Sequence, residues 1–252
     1  MMRQYLIDLK RGIVNLRFPT AVLLCAAIYW LGSLPEIGAD NVLYILDASV
    51  LFGSFGHLFP VVAVFPFGAS FLEELHSGNL RLVLQRIDAN RYLGRRFLVT
   101  GVVGGLATAL GMLVFLGVLL PVTHPLASLD YAEAVYPYAE ALVQQKQWVA
   151  YFGLYALLQW ASGFMWAGIG LMFSAITNKM QLVYLATVLF MEVLCRGLFA
   201  IDKEHIVIYA TGGLNVETIG QLLLESLSVF AILSLISFLV FMIFGKRRLR
   251  YA

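Results

Sequence analysis

Residues capable of chemistry are few and scattered in this 252-residue chain. The adjacent carboxylates Glu73 and Glu74 are the one pairing suited to general acid–base work. Glu192 and Arg196 stand four residues apart inside an apolar run, so on a helix they share a face about 6 Å apart along the axis and can pair. His57, with Ser54 one turn before it, sits in another such run. Polar groups buried in apolar runs face protein or a water-filled route. Ser54, His57, Glu192 and Arg196 are therefore candidates to line a polar path, against the plainer reading of packing groups and a snorkelling ion pair. The four histidines, His57, His76, His124 and His205, are too dispersed for a local ligand cluster, and no HExxH motif occurs. Cys25 and Cys195 lie in apolar runs and read as small buried hydrophobes, which implies neither a disulfide nor a metal. Gly245-Lys246-Arg247 lacks the glycine-rich loop and the hydroxyl that cradle nucleotide phosphates, so the chain is expected to bind no cofactor of its own.

The elements that must position these residues are long and apolar. Hydrophobic residues make up 61% of the chain and charged ones 13%, with a mean hydropathy of +0.84. Such a composition has the bilayer as its solvent. The formal charge of +2 implies no nucleic-acid partner, because basic residues in such chains mostly encode orientation. The expected class is all-α integral membrane, with the whole of 1–252 as one membrane domain. Residues 1–17 read as an amphipathic helix in the membrane interface: Leu6, Leu9, Ile13 and Leu16 form one stripe, with Gln4, Asp8, Arg11 and Asn15 opposite and turned to the cytoplasm. Six spans follow, Phe18 to Leu34, 48 to 72 (with Pro60 and Pro66 as kink sites), Phe97 to Leu120, Trp148 to Phe173, Gln181 to Ala200 and Leu222 to Phe244. Gly101, Gly104, Gly105, Gly111 and Gly117 in the third permit close helix packing.

Orientation follows from the basic residues. Arg3, Lys10, Arg11 and Arg17, then Arg81 to Arg96, Lys179, and Lys246 to Arg250 fall on one side; Lys146 and Lys203 fall on the other. Both termini and the polar 73–96 loop are thus expected in the cytoplasm, with outer loops at 122–147 and 201–221. Within the 73–96 loop, Leu80, Val83, Leu84 and Ile87 recur at helical spacing after a turn at Gly78, while Arg81 and Gln85 point elsewhere.

The order of features there resembles the membrane permease subunits of type-2, export-class ABC transporters. Glu74, Gly78 and Asn79, the Leu-rich run Leu80 to Leu84, and the basic stretch Arg91 to Arg96 match the family's order. Asn79 stands where Thr is usual, and Arg86-Ile87-Asp88 lacks the family's frequent proline. The interfacial helix, six spans, the short fourth-to-fifth turn and the larger outer loop before span six extend the resemblance over the whole chain. It implies a half-transporter in the cell (plasma or inner) membrane, paired with a second copy or a sister permease. Two separately encoded ATPase subunits would carry ATP and magnesium. A cytoplasmic coupling helix between spans two and three would meet them, with Glu74, Gly78, Asn79, Arg81, Leu82, Gln85 and Arg86 as coupling residues. Peptides and drugs are among the substrate classes of that family. No catalytic residue is implied on this chain.

Two other readings stand beside it. Glu73-Glu74 is similar to the paired glutamates of membrane-embedded CAAX-type proteases, but Ser77 and Gly78 stand where that family needs an arginine. A non-transporting membrane partner of an ATPase is the third.

Overall fold

Long apolar runs in the sequence become long helices, because a backbone in lipid must satisfy its hydrogen bonds within its own segment. The computed structural model describes residues 2–34, 42, 45–46, 56–78, 80, 84–85, 87–122, 147–199 and 218–251, and every element among them is helical. Helix α1 spans Met2–Ile13 and α2 spans Arg17–Ser33. A 3-10 turn at Gly56–Leu58 leads into α3 (Phe59–Val64), and α4 is Ser70–His76. The four long helices are α5 (Ala89–Val122), α6 (Trp148–Ile176), α7 (Met180–Phe199) and α8 (Ile219–Tyr251). Those four are long and apolar enough to cross a membrane. The bent pair α1 and α2, at 53° to each other, makes a fifth if counted as one span. The architecture is that of a multi-pass membrane protein.

The core is built around α5 and α6. A Cβ added at Gly104 would collide with the Ala167 side chain and stand 2.6 Å from the Ala63 carbonyl oxygen; one at Gly105 would stand 2.5 Å from that of Trp160. The two backbones approach as closely as they do because those side chains are missing. Thr108 reinforces the seam, its Oγ1 donating to the Gln159 carbonyl at 2.9 Å. On the other face of α5, Gly111 lies against Cys25 of α2, and Cys25 Sγ donates to the Thr108 carbonyl at 3.4 Å. Gly101 meets the Phe164 ring, whereas a Cβ at Gly117 would meet nothing among the described residues, so four of the five glycines of this run lie at close contacts. Aromatic rings close one end of the packing, with Tyr29 5.0 Å from Phe59 and 5.4 Å from Phe115. In contrast, α7 and α8 bury little of themselves: Leu185, Leu189 and Val193, and Leu235, Leu239 and Ile243, are all more than half exposed.

Three sequence expectations are corrected. Helix α5 starts at Ala89, about two turns before Phe97, so Arg91, Arg95 and Arg96 belong to the helix and not to a 73–96 loop. Asp88 sets that start, its Oδ2 accepting from the Asn90 and Arg91 backbone N–H at 3.0 and 3.4 Å as an N-cap. The run from 48 to 72 is broken rather than merely kinked in its described part. Pro60 lies in the first turn of α3, and a turn through Phe65, Pro66, Phe67 and Gly68 separates α3 from α4. Finally, the polar face of α1 is not uniformly exposed: Gln4 and Arg11 are exposed and Leu9 and Ile13 pack on the core as expected, but Asp8 is buried against α5. Gly12 lets α1 lie this close, since a Cβ there would stand 2.6 Å from Val103.

Candidate functional site

At the end of the bundle where α1 and α5 begin and α4 and α8 finish, the charged residues form a connected set. Arg17, the first residue of α2, pairs with Glu73 of α4. Its neighbour Glu74 turns instead to α5, where Arg96 Nη2 approaches Oε1 at 3.0 Å and Tyr92 Oη donates to Oε2 at 2.5 Å. Tyr92 and Arg96 are one helical turn apart, so one face of α5 grips one carboxylate with two donors. Arg96 is 2% exposed; Nη2 also donates to the Ser70 carbonyl at 3.1 Å, and its guanidinium lies 4.3 Å from the centre of the Phe67 ring. A charge so buried is tolerated because a carboxylate, a carbonyl and an aromatic face all meet it. Arg95, 8% exposed, turns to α1: its Nε is 2.8 Å from Asp8 Oδ2, and Nη1 donates to Gln4 Oε1 at 3.0 Å.

The elbow between α1 and α2 is closed by Asn15. Its Nδ2 donates to the Arg11 and Gly12 carbonyls at 2.9 and 3.0 Å, and its Oδ1 accepts from the Phe18 N–H at 3.0 Å. One amide thus satisfies the end of one helix and the start of the next. At the foot of α8, Arg248 Nη2 donates to the Ile176 carbonyl at 3.0 Å and to Asn178 Oδ1 at 2.6 Å, holding the tight α6–α7 turn.

After α4 the chain turns at Gly78, whose φ of +72° is the left-handed conformation that glycine adopts at helix C-termini. Ser77 caps the helix from both its N–H, to Glu73 O at 3.0 Å, and its hydroxyl, to Glu74 O at 3.1 Å. Beyond it Leu80 is 1% exposed, Leu84 and Ile87 pack against the core, and Gln85 is exposed. This is the face that the spacing assigns to anchoring. Asn79, Arg81, Leu82 and Arg86 lie outside the described residues, as do Ser54 of the candidate path, His124 and His205.

A second polar group lies toward the other end. The broken segment and α7 run side by side, with Phe65 6.3 Å from Tyr184 and Val64 and Leu72 packed on Val183. This register brings His57 Nδ1 to 2.9 Å from Glu192 Oε1, with the two side chains 45% and 41% exposed. Glu192 therefore pairs across helices and not with Arg196 one turn on, which is exposed and forms no ion pair with it. Sequence spacing offered only the local partner.

No family model, curated protein or solved structure matches the chain.

The two adjacent carboxylates do not work on one centre. Glu73 and Glu74 diverge to different helices, each engaged by an arginine, so they do not face one another across a shared water or substrate. Among the described residues, no three His, Cys, Asp or Glu side chains converge as metal ligands, and Cys25 and Cys195 are buried thiols. Sequence reasoning missed Asp8, Tyr92, Arg95 and Arg96. The signal was present in the i, i+4 spacing of Tyr92 and Arg96 and in a lone acid, Asp8, on an otherwise basic helix.

Proposed function

We propose that the chain is the membrane-spanning permease subunit of an ATP-driven exporter of the type-2 ABC class. It would work as a dimer with a second copy or a sister permease, energised by separate ATPase subunits that bind ATP and magnesium. In this reading six spans cross the cell membrane: α2, the broken segment ending in α4, and α5 to α8. Both termini and the 73–96 region lie in the cytoplasm, in keeping with the basic residues that flank them.

The observation that carries the reading is the fixation of Glu74. The residue lies in the last turn of α4, just before the Gly78 turn and the anchored Leu80, and is held by Tyr92 and Arg96 of α5. A push on a coupling helix beyond Gly78 would pass through Glu74 into α5, and through Glu73 and Arg17 into α2. Rigid helices joined by short polar links move as bodies, which is what alternating access needs. Glu74, Gly78 and Gln85, with Asn79, Arg81, Leu82 and Arg86, are the proposed contacts and transmitters. His57 and Glu192, with Ser54 and Arg196, are the proposed polar elements of the path, a role favoured by their half exposure within an apolar bundle.

Affinity purification of the tagged chain from its native membranes, followed by ATPase assay and transport in proteoliposomes, tests this. Recovery of a P-loop ATPase whose turnover falls at least tenfold with Arg81→Glu/Arg86→Glu is expected. A chain that retains no ATPase under mild detergent, or whose ATPase is indifferent to those substitutions, ends the proposal.

A further inference from the structure

A cleft of about 580 Å³ opens on the side of the bundle between α1, α5 and α8. Its inner part is aromatic and apolar: Phe97, Phe164 and Phe238 form its wall, with Phe97 5.1 Å from Phe238 and 6.1 Å from Phe164. Leu98 and Leu235, 49% and 58% exposed, border its opening. Toward the basic end it reaches Asp88 and Arg91, and Ile87 and Asp88 are shared with an adjoining cleft of about 740 Å³ that includes Lys246 and Arg250. Arg91, Lys246 and Arg250 are all exposed, and none has a carboxylate within 4.0 Å among the described residues. The nearby acid, Asp88, is already engaged by the first backbone amides of α5.

We propose that this cleft is a binding site for one anionic phospholipid, with an acyl chain along the three phenylalanines and the phosphate headgroup among Arg91, Lys246 and Arg250. Charge and polarity change along the cleft in the same order as along a lipid. A protein helix does not fit: one turn about 10 Å across fills roughly 420 Å³, so the cleft would hold little more than a turn. Cations without acidic partners at a membrane surface favour anionic headgroups over zwitterionic ones, by about fivefold for each basic residue. The inference needs only that the bundle sits in a bilayer, and it stands or falls apart from the transport reading.

Native mass spectrometry of the purified chain, equilibrated with equal amounts of phosphatidylglycerol and phosphatidylcholine of matched chains, decides it. The wild type should retain one phosphatidylglycerol in at least about fivefold preference. Arg91→Gln/Lys246→Gln should cut that preference at least about fivefold, while Lys10→Gln/Arg11→Gln, exposed basic residues outside the cleft, should leave it intact. Ser234→Trp, which fills the aromatic part, should reduce retention of both lipids. Parity in the wild type overturns the proposal without recourse to any variant. So does equal loss of preference in the two double variants, or displacement of the lipid by glycerol phosphate at equal concentration, since the acyl chain would then contribute nothing.

Discussion

Helices α5 and α6 meet along a seam where glycines let one backbone touch the other, whereas α7 and α8 turn leucine and isoleucine outward with nothing among the described residues against them. The seam is complete within one chain. Its contacts are short, its Thr108 hydroxyl is bonded across helices, and at Gly104 and Gly105 a Cβ would run into a backbone carbonyl. The outward faces are complete only with lipid or another protein, and their apolarity encodes a solvent more than a partner. Between these extremes stand the charge links at the basic end, which add a few directional contacts between α1 and α5, α4 and α5, and α2 and α4 to the packing of those helices. Packing fixes the centre of the molecule, and ion pairs reinforce what surrounds it.

The comparison is most severely broken at the seam itself. Gly104→Leu should drive its side chain into Ala167 and the Ala63 carbonyl, destabilising the fold by about 3 kcal/mol or more and leaving little monodisperse protein on size-exclusion chromatography. Next comes the buried pair. Arg96→Met strands Glu74 with Tyr92 alone and should cost about 3 kcal/mol in thermal unfolding, while Arg96→Met/Glu74→Gln should recover part of that loss, because the uncompensated charge is then gone. Asp8→Asn acts on the edge of the structure. It should leave the bundle folded, cost about 1 to 2 kcal/mol locally, and raise amide exchange in α1 ahead of all other helices. The smallest effect is expected on the outward face, where Leu189→Ala, 56% exposed, should change detergent stability by less than about 0.5 kcal/mol. A large loss there would mean that the α7 face is packed even in detergent, and the contrast between the two regions would narrow.

Much of the bundle is readable from sequence because lipid imposes a simple code of apolar length and glycine spacing. Residues Gly101, Gly104, Gly105 and Gly111 fall at helix contacts as their spacing suggests. Gly117, in an equally apolar stretch, meets nothing among the described residues, because composition alone does not say which side of α5 has a partner. The start of α5 is misplaced for a related reason: hydropathy scores Arg95 and Arg96 as loop residues, and only the carboxylates of α1 and α4 make their burial affordable. Local periodicity likewise suggests Arg196 for Glu192, whereas the three-dimensional partner is His57, far away in the chain. Local rules find elements, but they do not find the long-range ion pairs that join them.

Chain order gives the buried arginines one more property. Asp8 and Glu74 are both synthesised before Arg95 and Arg96, the side chains they neutralise. When α5 leaves the ribosome, its counter-ions have already been made, and the two guanidinium groups can be delivered straight to waiting acids. Biogenesis from the N-terminus therefore never requires either arginine to enter the protein interior alone, while a circularly permuted chain beginning at Ala89 would require it of both.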